Sequence, residues 1–343
     1  MTAGAAAGVA AGAAAGPGRD WRPGASLATL RRAAHLRRRV REHFDATGAL
    51  EVVTPVLSRA AGPEPSIEPF DTRSTAMDGR YWLQTSPEFA MKRLVAAYGQ
   101  DVWQLAPVFR RAERGHRHNA EFLLLEWYRV GQDLAALMQD VAELLVRVAG
   151  EFPPFDRPPQ TRRYGVCVRE AAGDWPERLS VADIRDRFEN AGRHFPDGVA
   201  DHEHDAALDL LVDTFVLPEL PTDRPTFIVG YPTSQASLAR CTLDVDGREV
   251  AARFELYAGT VELANGFHEL IDAGEQRRRF TEQLAARQAD GQPLPDQDEA
   301  FLAALEAGLP DCSGVALGLD RLTMLACGLD SLDRVMTFAD ERC

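Results

Sequence analysis

Residues 109–129 read FRRAERGHRHNAEFLLLEWYR, a cationic loop between two strand-like runs. The loop contains Arg110, Arg111, Arg114 and Arg117 within eight positions. Arginine suits phosphate because its planar guanidinium group stays charged and can bind two oxygens at once. The stretch therefore predicts a β-hairpin whose connection binds a polyanion, and a solvated basic turn is the alternative.

The second strand of this hairpin is apolar on both faces, which makes its internal carboxylate informative. Because side chains alternate along a strand, one face carries Phe122, Leu124, Glu126 and Tyr128, and the other carries Leu123, Leu125 and Trp127. An unpaired buried carboxylate is strongly unfavourable. We therefore expect Glu126 to meet a cationic partner, from the protein or from a ligand.

The composition of the chain limits its function. Its 343 residues carry a formal net charge of -14, which argues against binding nucleic acid through a broad basic surface. Lys92 is the only lysine among 38 basic residues.

Five cysteines without CxxC spacing indicate neither a disulfide framework nor a zinc site, and they favour a reducing cytoplasm. No run of apolar residues is long enough for a membrane helix, and residues 1–25 are predicted to form a disordered Ala/Gly-rich tail.

Periodicity, caps and turn residues predict an α+β fold in which helices flank an antiparallel sheet. Ser26 caps a helix over 26–46, which Gly48 ends and which turns Leu27, Leu30, Ala34 and Val40 toward the core. Ser86 and Pro87 begin a second helix that ends near Gly99. The other predicted helices are 134–149, 273–289 and one from Leu319. A segment over 302–307 and a turn over 308–314 lie between the last two. The predicted strands are 50–57 (interrupted at Pro55), 81–84, 102–111, 121–130, 226–229, 239–245 and 252–263. Residues 151–224 are predicted to form an inserted helical subdomain, with one helix from Ser180 and another over 201–217.

Several motifs together resemble a known family. The run of FR, RHN and EF before LLLEWY resembles motif 2 of class II aminoacyl-tRNA synthetases, GVALGLDR over 314–321 resembles their motif 3, and 48–57 resembles the weaker motif 1. ELANGFHEL over 262–270 and TSPEFAMKRL over 85–94 resemble the lysine branch. Within that branch the chain from Ser26 onward resembles the elongation factor P lysine ligases, stand-alone paralogues of lysyl-tRNA synthetase.

This resemblance implies a two-step reaction and its partners. ATP, with Mg²⁺, would activate lysine or (R)-β-lysine as an aminoacyl-adenylate, and a lysine side chain of elongation factor P would then displace AMP. Only about 25 residues precede the first predicted helix, too few for the anticodon-binding OB domain of lysyl-tRNA synthetases, so tRNA is disfavoured as acceptor. Motif 1 implies a homodimer.

The resemblance also implies site residues. Arg110 and Arg321 would be catalytic, since charge neutralisation and alignment dominate this chemistry. The implied ATP site is Arg110, Arg117, His118, Asn119, Glu262, Leu263, Gly318 and Arg321, with Glu262 also the candidate for Mg²⁺. The implied amino acid site is Ser86, Glu88, Glu126, Tyr128, Asn265, Phe267, Glu269 and Ala316. Gly308, Gly314 and Gly318 would let the backbone approach a ligand closely.

Three of these positions carry an additional expectation. On a regular strand Glu262 has the wrong parity to share a face with Asn265, so a bulge or break between Leu263 and Asn265 is predicted. For Glu269 the alternative to substrate binding is a salt bridge to an arginine. Ala316 replaces a glycine that lysyl-tRNA synthetases have in motif 3, and its methyl group favours β-lysine.

One position departs from the family pattern. Motif 2 normally has a glutamate two residues after its arginine, and here that residue is Ala112. Either Glu113 takes over the contact with adenine or ATP binding is weaker. Two alternatives therefore stay open: a ligase that loads another carrier or amine, and a regulatory paralogue that makes no adenylate.

Overall fold

The computed structural model describes residues 21–74, 77–111 and 114–342. Residues 1–20 of the predicted tail, Ala112 and Glu113 lie outside the described residues. The helices are α1 (Leu27–Thr47), α2 (Glu88–Tyr98), α3 (Leu134–Ala149), α4 (Tyr164–Ala172), α5 (Val181–Asn190), α6 (His204–Leu211), α7 (Ala273–Ala289), α8 (Glu299–Gly308) and α9 (Leu319–Ala326). The strands are β1 (Leu50–Glu51), β2 (Leu57–Ser58), β3 (Asp71–Ser74), β4 (Met77–Leu83), β5 (Val102–Phe109), β6 (Glu121–Val130), β7 (Gln160–Arg163), β8 (Pro225–Tyr231), β9 (Cys241–Leu243), β10 (Glu249–Ala258), β11 (Val261–His268) and β12 (Cys312–Gly318).

One large sheet organises the molecule. Its strand order is β1-β5-β6-β12-β11-β10-β8-β7, with β9 paired to β10. The central pairs are antiparallel, and only the outer pairs β1–β5 and β7–β8 are parallel in the described residues. A second sheet has the order β2-β4-β3. The predicted α+β fold with a largely antiparallel sheet and flanking helices is confirmed.

Helix α1 begins and ends where its caps predict, but it buries a different face. Ser26 accepts a hydrogen bond from the backbone N–H of Thr29, and Gly48 adopts a left-handed conformation at the C-terminus. The prediction that Leu27 and Ala34 face the core is wrong, because both are exposed. Ala33, Leu36, Val40 and Phe44 are buried instead. Apolar residues occur around much of this helix, so the contact with α3 decides which ones are covered.

Some predicted boundaries are also wrong. The single strand expected over 252–263 is two strands, β10 and β11, which reverse at Gly259 and Thr260. Gly259 has a φ of 57°, which a tight hairpin turn requires and glycine adopts readily. The turn expected over 308–314 already contains the start of β12, and the helix expected over 201–217 ends as α6 at Leu211, followed by a π turn and a 3₁₀ turn.

Three apolar clusters hold the layers together. Helices α1, α3 and α9 cover one face of the sheet, where the Phe44 ring stacks on Trp103 with centroids 4.6 Å apart. Helices α4, α5 and α6 form a second cluster against β8 and β10. On the opposite face of the central strands, α2, α7 and α8 pack through Met91, Phe280 and Phe301. None of the helices within the described ranges is both long enough and apolar enough to cross a lipid bilayer.

Candidate active site

Three adjacent strands bring the predicted site residues into two rows. On β6, β12 and β11, the residues in register are Glu126, Ala316 and Asn265. The next row in the same face is Tyr128, Gly314 and Phe267. The alternation expected for β6 is therefore observed: Leu125 and Trp127 belong to the core on the opposite side of the sheet. Motifs far apart in the sequence form one surface here.

Glu126 is buried and hydrogen-bonded at both oxygens. Its side chain accepts a hydrogen bond of 2.7 Å from Ser86 Oγ and another of 2.7 Å from the Tyr128 hydroxyl. Ser86 also accepts from the backbone N–H of Glu88, at the start of α2. Burial, reinforced by the charge of Glu88, raises the pKa of Glu126 to about 7, although Lys92 and both hydroxyl groups lower it. The cation expected beside Glu126 is thus present in the cluster, but the direct contacts are hydroxyl groups.

Lys92 is a member of the site that sequence reasoning missed. Its Nζ lies 2.5 Å from Glu88 Oε1 and 2.6 Å from Glu269 Oε2, and its side chain is 1% exposed. Burial alone would lower the pKa of Lys92, but Glu269 and Glu88 raise it, and the net shift is upward. The salt bridge considered for Glu269 does exist, but the expected arginine partner is wrong. Two signals were available: Lys92 is the only lysine, and it follows Glu88 by one helical turn.

Gly314 lets the acidic end of the site close up. A Cβ atom at this position would lie 2.3 Å from Tyr128 Cε1 and 2.5 Å from Glu269 Oε1. Only glycine leaves both side chains where they are. The backbone approach expected at Gly314 is therefore an approach to protein side chains. At Gly318 the nearest atom to such a Cβ is 3.7 Å away, in the Arg321 side chain, and Gly308 lies at the end of α8.

A cavity of about 170 Å³ connects the acidic end to a cationic end. Glu126, Tyr128 and Glu269 are buried behind it, each 1 to 2% exposed. All the other predicted site residues line it, namely Ser86, Glu88, Arg110, Arg117, His118, Asn119, Glu262, Leu263, Asn265, Phe267, Ala316, Gly318 and Arg321.

The arginines at the cationic end are held by backbone oxygens. Arg321 donates from Nη1 to the carbonyl of Glu262 at 3.0 Å and from Nε to the carbonyl of Arg117 at 3.2 Å. Arg117 in turn donates to the hydroxyl of Thr260 at 2.9 Å. Arg110 lies over the Phe122 ring, with its guanidinium carbon 5.2 Å from the ring centroid. Arg117 and Arg321 donate these bonds to neutral oxygens, so anionic ligand oxygens are favourable additional partners.

A bulge brings Glu262 to this cavity. Tyr257 pairs with Glu262 and Leu256 pairs with Ala264, so Leu263 is the extra residue of β11. The bulge was predicted between Leu263 and Asn265 and lies one residue earlier. It has the predicted effect, because it puts Glu262 on the same face of the strand as Asn265. The Glu262 side chain is 40% exposed and lies 3.5 Å from Arg321 Nη1. Mg²⁺ commonly binds one or two carboxylates together with nucleotide phosphates, so this accessible carboxylate suits it. Across the described ranges, no three His, Cys, Asp or Glu side chains form a metal-binding group.

Asn119 already has protein partners in this structure. Its Nδ2 donates to the carbonyl of Glu121 at 2.7 Å, and its Oδ1 accepts from the backbone N–H of Asp340 at 3.0 Å. These bonds join the hairpin loop to the C-terminal segment. An amide Nδ2 can donate two hydrogen bonds, so a further bond to a ligand is compatible with these contacts.

The proline-rich loop over 61–70 forms part of the cavity wall, which the sequence did not indicate. Glu64 and Ile67 of this loop line the cavity. Arg287 of α7 donates from Nη1 to the carbonyl of Glu64 at 2.7 Å and to that of Ile67 at 3.1 Å. Because Arg287 is fully buried, these bonds fix the path of the loop over the site.

Comparison with known proteins places the chain among aminoacylating enzymes. A family model described as tRNA synthetases class II (D, K and N) matches residues 19–342, which includes every strand and helix named above. A curated elongation factor P–(R)-β-lysine ligase of Klebsiella pneumoniae subsp. pneumoniae is 41% identical over 328 residues, covering 94% of this chain and 98% of that protein. Ligases of the same name from Salmonella paratyphi B and Salmonella schwarzengrund are 40% identical with the same coverage.

Proposed function

The chain belongs to the class II tRNA synthetases of the D, K and N group, and from this premise we propose that it uses ATP to activate (R)-β-lysine or lysine and transfers it to a lysine side chain of elongation factor P. The similar proteins named elongation factor P–(R)-β-lysine ligase support this choice of substrate and acceptor. One observation in the site carries the proposal: buried carboxylates stand at one end of a cavity whose other end is lined by arginines.

The acidic end suits the two ammonium groups of the amino acid. Glu88, Glu126 and Glu269 converge there from α2, β6 and the end of β11. Ser86 and Tyr128 hold both oxygens of Glu126, so its orientation is set before a ligand arrives. A buried carboxylate cluster favours a cationic ligand because the ligand supplies the charge that the solvent no longer screens.

The cationic end suits ATP and the carboxylate of the amino acid. In the first step a carboxylate oxygen attacks the α-phosphorus, and the bond to pyrophosphate breaks. Arg110 would align the carboxylate with the α-phosphate, and Arg321 and Arg117 would neutralise charge on the other phosphates. Mg²⁺ would add to this neutralisation when it is bound with ATP, and Glu262 is the residue that would hold it.

In the second step the amine of the acceptor lysine, having lost a proton, attacks the carbonyl carbon of the adenylate. The bond to AMP breaks and an amide remains. The acidic surface of the chain, with a net charge of -14, disfavours tRNA as the acceptor and is compatible with a protein. We place the reaction in the cytoplasm, where the cysteines stay reduced.

We also propose that the enzyme acts as a homodimer through the edge of the sheet at β1. Leu50, on this strand, is 57% exposed, and Val53, just after it, is 91% exposed. Exposed apolar side chains beside an edge strand are a suitable surface for a second copy of the chain. Analytical ultracentrifugation of the protein and of Val53→Asp tests this: the variant should sediment as a monomer. A monomeric wild-type protein would contradict the proposal.

Pyrophosphate exchange into ATP, followed by mass spectrometry of elongation factor P, tests the proposed function. Exchange should depend on (R)-β-lysine or lysine, and incubation with both substrates should add one aminoacyl group to elongation factor P. Elongation factor P with its acceptor lysine replaced by arginine is the control and should gain no mass. Exchange with neither amino acid would refute the ligase. Exchange without transfer would favour a different carrier or amine as acceptor.

A further inference from the structure

The amino acid end of the site contains an ammonium group of its own. Lys92 is 1% exposed and lies within 2.6 Å of carboxylate oxygens from both Glu88 and Glu269. Its Nζ is also 6.0 Å from the Tyr128 ring centroid and 5.8 Å from that of Phe301. An ammonium group is costly to bury unless it is paired, and here one cation meets two carboxylates. The pairing thus leaves a surplus of negative charge.

The charges of the pocket can be counted from its ionisable members. Glu88, Glu126 and Glu269 contribute three negative charges when ionised, and Lys92 contributes one positive charge. The net charge is therefore -2 when all three carboxylates are ionised. Lysine and β-lysine carry two ammonium groups, so either amino acid balances this charge once its carboxylate faces the arginines.

We infer that Lys92 is a fixed ammonium group that sets the net charge of the amino acid pocket at -2 when its carboxylates are ionised, and so makes the pocket specific for amino acids with two ammonium groups. The inference deepens the proposed function and rests on it. Lys92 acts through Glu88 and Glu269, and so it is a positioning residue.

Lys92 also decides how many protons a substrate must displace. Without it, Glu269 is a buried carboxylate with no ionic partner, and such a group takes up a proton. Burial raises the pKa of Glu269 and Lys92, 2.6 Å away, lowers it, so removing Lys92 should raise this pKa further. When an amino acid with two ammonium groups binds beside a protonated carboxylate, the carboxylate has to lose its proton. The logarithm of the apparent affinity therefore changes with pH by one additional unit per pH unit for each carboxylate that must ionise.

The other ionisable groups that face this cluster do not change the count. Burial raises the pKa of the Cys312 thiol on β12 to about 12, and burial likewise raises the pKa of the Tyr128 hydroxyl. Arg240 donates to the carbonyl of Glu269 at 3.0 Å and is paired with Asp311, which also contacts His268. The cysteine and tyrosine therefore stay neutral near pH 7.

The charge count is also unchanged by the groups on the cavity side, where one carboxylate and one guanidinium group lie near the cluster. Glu64, from the loop over the cavity, and Arg110, from the hairpin, both line the cavity beside Glu88. They belong to the entrance and to the phosphate end, and a change at Lys92 leaves both in place.

The test is the pH dependence of the Michaelis constant for (R)-β-lysine in pyrophosphate exchange, measured between about pH 7 and pH 9, because the pKa of Glu269 beside Lys92 is about 8. Lys92→Met should raise this constant by about tenfold or more at pH 8 and steepen its logarithmic pH dependence between about pH 8 and pH 9 by up to about one, while the constant for ATP changes less than about twofold. Lys92→Arg, which keeps the charge, should keep the wild-type slope. Arg38→Met is the matched control, because Arg38 and Glu42 form an i,i+4 pair that is 67% and 65% exposed.

Two further variants keep the test decisive if Lys92→Met does not fold. The double variant Lys92→Met with Glu269→Gln removes one charge of each sign. The pH dependence of its Michaelis constant for (R)-β-lysine should therefore have the wild-type slope, whatever the size of that constant. Glu269→Gln alone leaves a net charge of -1 and should favour a monoammonium analogue, (R)-3-aminohexanoic acid, over (R)-β-lysine relative to the wild type. Equal slopes in all folded variants would overturn the inference. A wild-type enzyme that activates no diammonium amino acid would instead overturn the proposed function.

Discussion

Replacing Glu126 by glutamine removes one charge from the acidic cluster and keeps its shape. Glu126 is 2% exposed and accepts hydrogen bonds from Ser86 and Tyr128. A glutamine oxygen can accept one of these bonds, and the other hydroxyl group can rotate to accept from the amide. The change in stability should therefore come chiefly from the charge, and it should depend on pH.

The size of the effect follows from the pKa of Glu126. Burial raises this pKa from an ordinary value of 4.5 to about 7. Between these values the folded protein holds a proton that the unfolded chain has released, so the free energy of unfolding falls as the pH rises, and the fall is complete above about pH 7. At about 1.4 kcal/mol for each pH unit, the wild-type protein should lose about 3 kcal/mol relative to Glu126→Gln across this window.

Urea unfolding of both proteins at several values between about pH 5 and pH 8 measures this difference. The other ionisable groups titrate in both proteins, so the difference between the two curves isolates Glu126 to a first approximation. Glu126→Gln should also raise the Michaelis constant for the amino acid and leave that for ATP within about twofold, because Glu126 lies at the acidic end. Two curves that run parallel over the whole pH range would refute the raised pKa of Glu126.

Three other changes examine the cationic end, the packing of the pocket and the departure from motif 2. Arg321→Ala should lower kcat/KM for pyrophosphate exchange by an amount equivalent to about 2 to 4 kcal/mol, because it would remove the proposed contact with phosphate in the transition state. Gly314→Ala should destabilise the protein by about 1 to 3 kcal/mol in urea unfolding, because the new methyl group overlaps the Tyr128 ring. Ala112→Glu should lower the Michaelis constant for ATP in the exchange assay by restoring a contact to adenine; an unchanged constant would mean that Glu113 already makes that contact.

Arg114 provides a control for the arginine prediction. It belongs to the same hairpin, is 76% exposed and pairs with Asp340 at 3.2 Å. Arg114→Ala should leave exchange near the wild-type rate. A loss equal to that of Arg321→Ala would indicate a general effect of positive charge on the loop.

For the glycine prediction, normal stability of Gly314→Ala would contradict the close packing at that position.

Local signals predicted much of the fold. The bounds of β6, α3 and α7 agree with the sequence-based ranges, since caps and alternation lie within the segments themselves. The parity of Glu262 likewise predicted a bulge, because a strand face is a local property. The residues that β6 and β11 place in the site follow from the same alternation.

Contacts between distant segments were not predictable in this way. Glu269 pairs with Lys92 only because α2 packs against β5 and β6 and so brings Lys92 to the residue that follows β11, and neither segment carries that information alone. The loop over 61–70 follows hydrogen bonds from Arg287, which is 223 positions beyond Glu64. Helix α3 likewise determines which face of α1 is buried, because the two helices pack against each other. In each case the tertiary partner, rather than the local pattern, decides the outcome.

The burial of the only lysine has a chemical consequence for the protein itself. An aminoacyl-adenylate acylates accessible primary amines, and lysine ε-amines are its natural targets. This chain has one ε-amine, and that amine is 1% exposed and ion-paired. The enzyme therefore offers its own activated intermediate no lysine on its surface, and self-acylation is confined to the terminal amine. For the same reason amine-reactive dyes and cross-linkers should label the acceptor protein and leave the body of the enzyme untouched.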